Sequence, residues 1–238
     1  MAETDIRSAE AVMIAEARKA FFVVFGLLAL LWAVQLGNWA DGGSLSLQFG
    51  IRPHELDSIG KVFTAPLMHQ GWAHLEANSG PLFVFAFLAA YRGVARFLVL
   101  TVLLALTSGL SVWIFENSNT VTVGASGLVF GYFAYVVLRG VFDRHLIDSL
   151  IGLVMAASFA YLVFGALPSA PGGVSWLAHL GGLVGGCLGA WLLRDRSPAG
   201  ATARPAAPAG VSAGAAAGAP AAPSERSALL KELDDLGL

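Results

Sequence analysis

The chain has 238 residues, 56% of them hydrophobic and only 13% charged, where an ordinary soluble domain carries about 25% charged residues, so a large soluble domain is excluded. Its net charge of -2 and pI near 6.2 lack the basic excess of a nucleic-acid binder, and nucleic acid is not expected as a partner. The single cysteine, Cys187, lies in an apolar stretch, which leaves no internal disulfide, no CxxC pair and no cysteine-based zinc site; neither a metal nor another cofactor is expected.

Residues 1–19 are polar and mixed in charge and form an expected cytoplasmic N-tail. The apolar run from Phe21 to Trp39 is too long for a signal-peptide core and has no small-residue cleavage site. A bilayer core of about 30 Å needs roughly 20 apolar residues per helix, and a window of that length predicts spans at 20–39, 71–91, 94–115, 126–142, 146–167 and 174–193. The predicted fold class is therefore an all-α polytopic membrane protein, a six-helix bundle over 20–193 with the lipid bilayer as its solvent. The fourth span is short, as expected where one end is buried in protein. Residues 40–70 mix Gly42, Gly43, Pro53 and Pro66 with Leu45, Leu47, Phe49 and Ile51, which predicts a folded loop half-sunk at the membrane surface.

Arginines at the 2–3 turn (Arg92, Arg96), the 4–5 turn (Arg139, Arg144) and the C-terminal flank (Arg194, Arg196) fall on one side with the N-tail, against Arg52 and Lys61 on the other. Lysine and arginine near span ends favour the cytoplasmic side, so both termini are expected there, in an inner (plasma) membrane protein. Residues 194–238, rich in Ala, Pro and Gly, cannot bury a core and are expected to be disordered, with a short amphipathic helix at 225–238.

Polar groups inside a membrane are costly, and three clusters of them call for a function. They are His74 to Asn78 near the start of span two, Gly124-Ala125-Ser126-Gly127 at the start of span four, and Ala178-His179-Leu180-Gly181-Gly182 near the start of span six. In the predicted topology all three lie at the outer end, at one depth. His74 and Asn78, four residues apart, share a helix face, with Glu76 nearly opposite. A serine hydroxyl needs a base to become a nucleophile, and His179 can serve Ser126 in that way. Donors for the resulting oxyanion are available from the Ser126 backbone N–H, with Asn78 and His74 able to add side chains. No carboxylate stands at an obvious third position, so a dyad is expected, with Phe130, one turn after Ser126, packing on the imidazole. Small residues Ala178, Gly182, Gly186 and Ala190 on span six, and Gly127 and Gly131 on span four, let the two helices approach closely. Valine at Gly182 is expected to force them apart, and alanine less so. His69 is expected to be structural, and Glu76 to face water or headgroups.

At these residues the sequence resembles the rhomboid family of intramembrane serine proteases. The resemblance covers roughly residues 50–193: Gly50-Ile51-Arg52-Pro53, Ala65-Pro66-Leu67-Met68-His69, H-x-x-x-N at His74 and Asn78, G-x-S-G from Gly124 to Gly127, and A-H-x-x-G at His179 and Gly182. It implies Ser126 as nucleophile, His179 as general base, His74, Asn78 and the Ser126 N–H as oxyanion hole, Phe130 as support for the His179 ring, and membrane-anchored proteins cut near the outer face as substrates. Glu76 stands at a usually apolar position, the tryptophan–arginine pair often found in the first outer loop is absent, and no seventh span is present. A non-catalytic relative that binds transmembrane helices is the alternative, and a small transporter the third reading.

Overall fold

The structure is a computed structural model describing residues 2–168 and 173–195; the tail beyond residue 195, with its expected terminal helix, lies outside the described residues. The helices are α1 (Ala2–Ala40), α2 (Ser44–Phe49), α3 (Trp72–Ala90), α4 (Val94–Phe115), α5 (Ser126–Asp143), α6 (Leu146–Ser158), α7 (Leu162–Gly165) and α8 (Trp176–Leu192), with 3-10 turns at Leu56–Phe63 and Ala65–Leu67. The described residues form no strand, only one antiparallel bridge between Ile51 and Thr122. The protein is thus all-helical. Three stretches, Glu10–Ala40, Val94–Phe115 and Ser126–Asp143, are by themselves long and apolar enough to cross a membrane, while α6 and α8 are apolar but shorter. α3 has 19 residues, among them His74, Glu76, Asn78 and the helix-interior Pro81.

Burial is graded around α5, which has 67% of its span window buried, against 39% for α4 and 22% for α1. A helix apolar all round and buried belongs at the centre, whereas the outward faces of its neighbours carry large apolar side chains such as Phe22, Trp32, Val102, Leu153 and Leu188. In water such a belt would be an aggregation surface; in lipid it is the solvent-facing side.

The predicted continuous helix over 146–167 is broken. α6 stops at Ser158, Phe159 and Ala160 accept only i+3 bonds from Leu162 and Val163, and the chain resumes as the single turn α7. No glycine or proline marks this break. Its cause is tertiary: the Phe159 ring packs edge-on against Phe85 with centroids 4.8 Å apart.

One end of the bundle is tied by ions. Arg139 pairs with Asp143 at 3.0 Å and with Asp148 of α6 at 3.7 Å, Arg96 with Asp195 at 2.6 Å, and Arg92 with both Asp195 (3.2 Å) and Asp148 (3.5 Å). Three of the arginines that set the predicted orientation therefore also join the ends of α4, α5, α6 and α8. At the other end, the 41–71 loop is anchored without a tryptophan–arginine pair. Trp113 Nε1 donates to the Glu55 carbonyl (2.9 Å), and His54, in the left-handed region at φ 65°, donates from Nε2 to the Ile114 carbonyl and accepts at Nδ1 from Ser118 Oγ, both at 2.9 Å.

Candidate active site

The site begins with backbone geometry at the start of α5. Gly124 has φ 125°, a left-handed conformation that glycine tolerates, and a Cβ there would run into the His74 ring. Its N–H is held by the Ala65 carbonyl at 3.0 Å, and the next N–H, of Ala125, is accepted by His69 Nε2 at 3.4 Å. Ser126 is the first residue of the helix that follows, so its own N–H is one of the orphan donors of a helix N-terminus.

α8 brings His179 to this serine. Ser175 caps the helix, its Oγ accepting the Ala178 N–H at 3.2 Å, and Ser108 on α4 donates to the Ala178 carbonyl at 2.9 Å. His179 Nε2 lies 2.8 Å from Ser126 Oγ, and Nδ1 lies 2.8 Å from the Gly165 carbonyl. A carbonyl only accepts, so Nδ1 carries the proton and Nε2 is left to accept from the serine hydroxyl. The imidazole also stacks on Phe130, with centroids 3.9 Å apart and planes 9° from parallel. Packing on Phe130 was legible in the sequence. The Gly165 carbonyl was not, because it is a main-chain atom at the end of α7, exposed by the break after Ser158.

The close approach is made by glycines. A Cβ on Gly182 would fall on the Gly127 carbonyl oxygen, and one on Gly186 on the Gly131 carbonyl oxygen, in both cases far inside van der Waals contact. Alanine therefore meets the same backbone as valine, so the difference expected between the two substitutions is small. A second small face, Gly181, Gly185 and Gly189, lies against Thr107, Ser111 and Leu100 of α4. Sequence reading took in only the first stripe, although the second repeats every four residues as well.

A cavity of about 560 Å³ opens over Ser126, lined among others by His74, Asn78, Tyr161 and His179. Asn78 is buried, and its Nδ2 has no hydrogen-bond partner, a costly state for a donor unless something arrives to accept from it. Glu76 is exposed and does not line the cavity. The described residues include no group of acidic, histidine and cysteine side chains that could hold a metal.

A sequence model of the Rhomboid domain matches residues 57–196. The chain belongs to the rhomboid family. The uncharacterized proteins Rv1337 of Mycobacterium tuberculosis (strain H37Rv) and Mb1372 of Mycobacterium bovis are each 38% identical to this rhomboid over 177 residues, 71% of its length and 73% of theirs. YdcA of Bacillus subtilis (strain 168), provisionally named a rhomboid protease, is 31% identical over 129 residues, 54% of this rhomboid and 64% of that protein.

His69 in this rhomboid is fully buried between the loop and the site. Its carbonyl accepts from Asn38 Nδ2 (3.1 Å) and Ser46 Oγ (2.9 Å), while its ring meets the His74 ring edge-on at 5.1 Å. Burial, with a smaller contribution from His74, pushes the His69 imidazole down to about 4 from its ordinary 6.5. As pH falls below 6.5 the unfolded chain takes up a proton that the folded chain refuses until about 4, so stability is lost progressively across that window. Thermal unfolding in detergent should show a transition temperature that drops between pH 7 and pH 4.5, and less steeply in His69→Gln. Identical slopes would remove His69 from the acid response.

Proposed function

We propose that this rhomboid is an intramembrane serine endopeptidase that cleaves membrane-anchored proteins near the outer membrane face with a Ser126–His179 dyad. In this reading residues 20–193 form a six-span protease domain, 1–19 and 194–238 are cytoplasmic tails, and both termini face the cytoplasm of a plasma-membrane protein. The observation that carries the reading is the 2.8 Å contact of Ser126 Oγ with His179 Nε2 on the wall of an open cavity.

Chemistry follows from the donors and acceptors present. As Ser126 Oγ attacks the scissile carbonyl carbon, its proton passes to Nε2, and the imidazolium keeps its Nδ1–H on the Gly165 carbonyl. The carbonyl oxygen becomes an oxyanion that the Ser126 N–H, Asn78 Nδ2 and His74 can receive. Nε2–H then protonates the departing amine, leaving an acyl-serine that water hydrolyses by the same two transfers in reverse order. Gly124, Gly127, Phe130 and Gly182 act by position: they set the turn before the serine, the helix contact and the plane of the imidazole.

The test is labelling with a fluorophosphonate, which reacts with an activated serine. Wild type should label and Ser126→Ala should not. His74→Ala and Asn78→Ala should label but turn over a membrane-anchored test substrate more slowly, up to the 10²–10³-fold roughly lost with a single oxyanion donor and less where several donors share the load. Unlabelled wild type would favour a relative that binds transmembrane helices without cutting them, and an unchanged rate in Asn78→Ala would take that residue out of the site.

A further inference from the structure

A second cavity, of about 390 Å³, adjoins the one over Ser126, and Gln70, Thr122, Val123, Gly173, Val174 and Ser175 line both. A chain seated with its scissile bond at Ser126 therefore passes within reach of the second cavity. Among the described residues, the wall of the first contains no carboxylate, lysine or arginine, and the wall of the second contains one formal charge, Glu116.

Glu116 stands just beyond the end of α4, its N–H bonded to the Val112 carbonyl at 3.0 Å. Its carboxylate accepts from Ser175 Oγ at 2.9 Å and from the Asn117 N–H at 3.3 Å, and it takes part in none of the ion pairs among the described residues. An ionised carboxylate has about four acceptor positions, so this half-buried anion keeps capacity that a cation in the cavity would use. Membrane segments carry their lysines and arginines mainly at the cytoplasmic end. A basic residue just outside the outer face thus distinguishes a minority of segments, and an acidic wall beside the nucleophile would select them.

We propose that Glu116 forms a specificity subsite for a lysine or arginine side chain on the substrate segment outside the membrane, close to the scissile bond. The inference rests on the protease reading above. A competing account gives Glu116 only the task of holding Ser175, the cap of the helix that carries His179. The two accounts separate under Glu116→Gln, which keeps an oxygen for Ser175 and removes the charge.

The experiment compares kcat/KM for one membrane-anchored test substrate in which Lys, Gln or Glu is placed in turn at each position outside the membrane near the cleaved bond. Wild type should prefer Lys over Glu by about five- to tenfold at one or two neighbouring positions, in the range of a partly exposed charge pair. The ratio should fall towards one in Glu116→Gln and invert in Glu116→Lys. Ratios are taken within each variant, so any common change in rate cancels. A wild type without charge preference, or the same preference in Glu116→Gln, would overturn the subsite. Fluorophosphonate labelling of the same wild-type preparation separates the two layers: a labelled enzyme without preference loses only the subsite, whereas one that neither labels nor cleaves loses the protease reading and the subsite with it.

Discussion

Ser126→Ala and His179→Ala should each lose about 10⁴-fold or more in cleavage of a membrane-anchored substrate, and the double variant should be no worse than either alone. The geometry makes the two residues one unit. Without His179 the Ser126 proton has no acceptor: Oγ has His179 Nε2 as its only side-chain partner among the described residues, at 2.8 Å. Without Ser126 the imidazole keeps its place, because Phe130 and the Gly165 carbonyl hold it independently, but has no nucleophile to activate. Both single variants should therefore insert and unfold near the wild-type temperature. Losses that multiply in the double variant would mean that the two side chains act in separate steps, and ordinary turnover by Ser126→Ala would refute the assignment.

What could be read beforehand was whatever depended on side-chain identity at fixed spacing. His74 and Asn78 fall on one helix face four residues apart, Ser126 stands at a helix start, and small residues at Ala178 and Gly182 signal a close helix contact; the structure brings His74, Asn78, Ser126 and Ala178 around one cavity and sets Gly182 against the Gly127 carbonyl. What stayed hidden depended on main-chain atoms and on packing at a distance. The Gly165 carbonyl that fixes the His179 tautomer is a free acceptor because α6 stops early, where Phe159 packs on Phe85, and Phe159 is not a helix breaker. Likewise the loop is anchored by a histidine in a left-handed turn, His54, whose partners are 60 and 64 residues away. Span limits read from hydropathy match the helices at α4 and α5, whereas α1 begins at Ala2, well before the expected start at residue 20, and α6 stops short at Ser158, since hydropathy measures apolarity and not helical continuity.

The glycine contact gives the other large effect, and one that touches no reacting atom. Gly182→Ala should lose most activity, on the order of 10²-fold, because a displacement of about 1 Å between reacting groups carries that cost. The obstacle to a Cβ at Gly182 is the Gly127 carbonyl, with the Gly131 N–H close behind. Flexible side chains can swing aside; these are backbone atoms of the central helix, so α5 and α8 must separate. Gly127 directly follows Ser126, and Gly182 lies three residues after His179, so the separation falls on the Ser126–His179 hydrogen bond itself. Valine adds two more methyl groups to a contact that is already broken and should be only slightly worse. Leu188→Val, on a side chain that faces lipid, serves as the control and should turn over normally. Should Gly182→Ala prove poorly folded, Gly181→Ala supplies a second reading, since its Cβ meets Ser111 and the Thr107 carbonyl of α4 and separates a different pair of helices. An inserted, folded Gly182→Ala protein with the wild-type rate would show that the dyad does not depend on this contact.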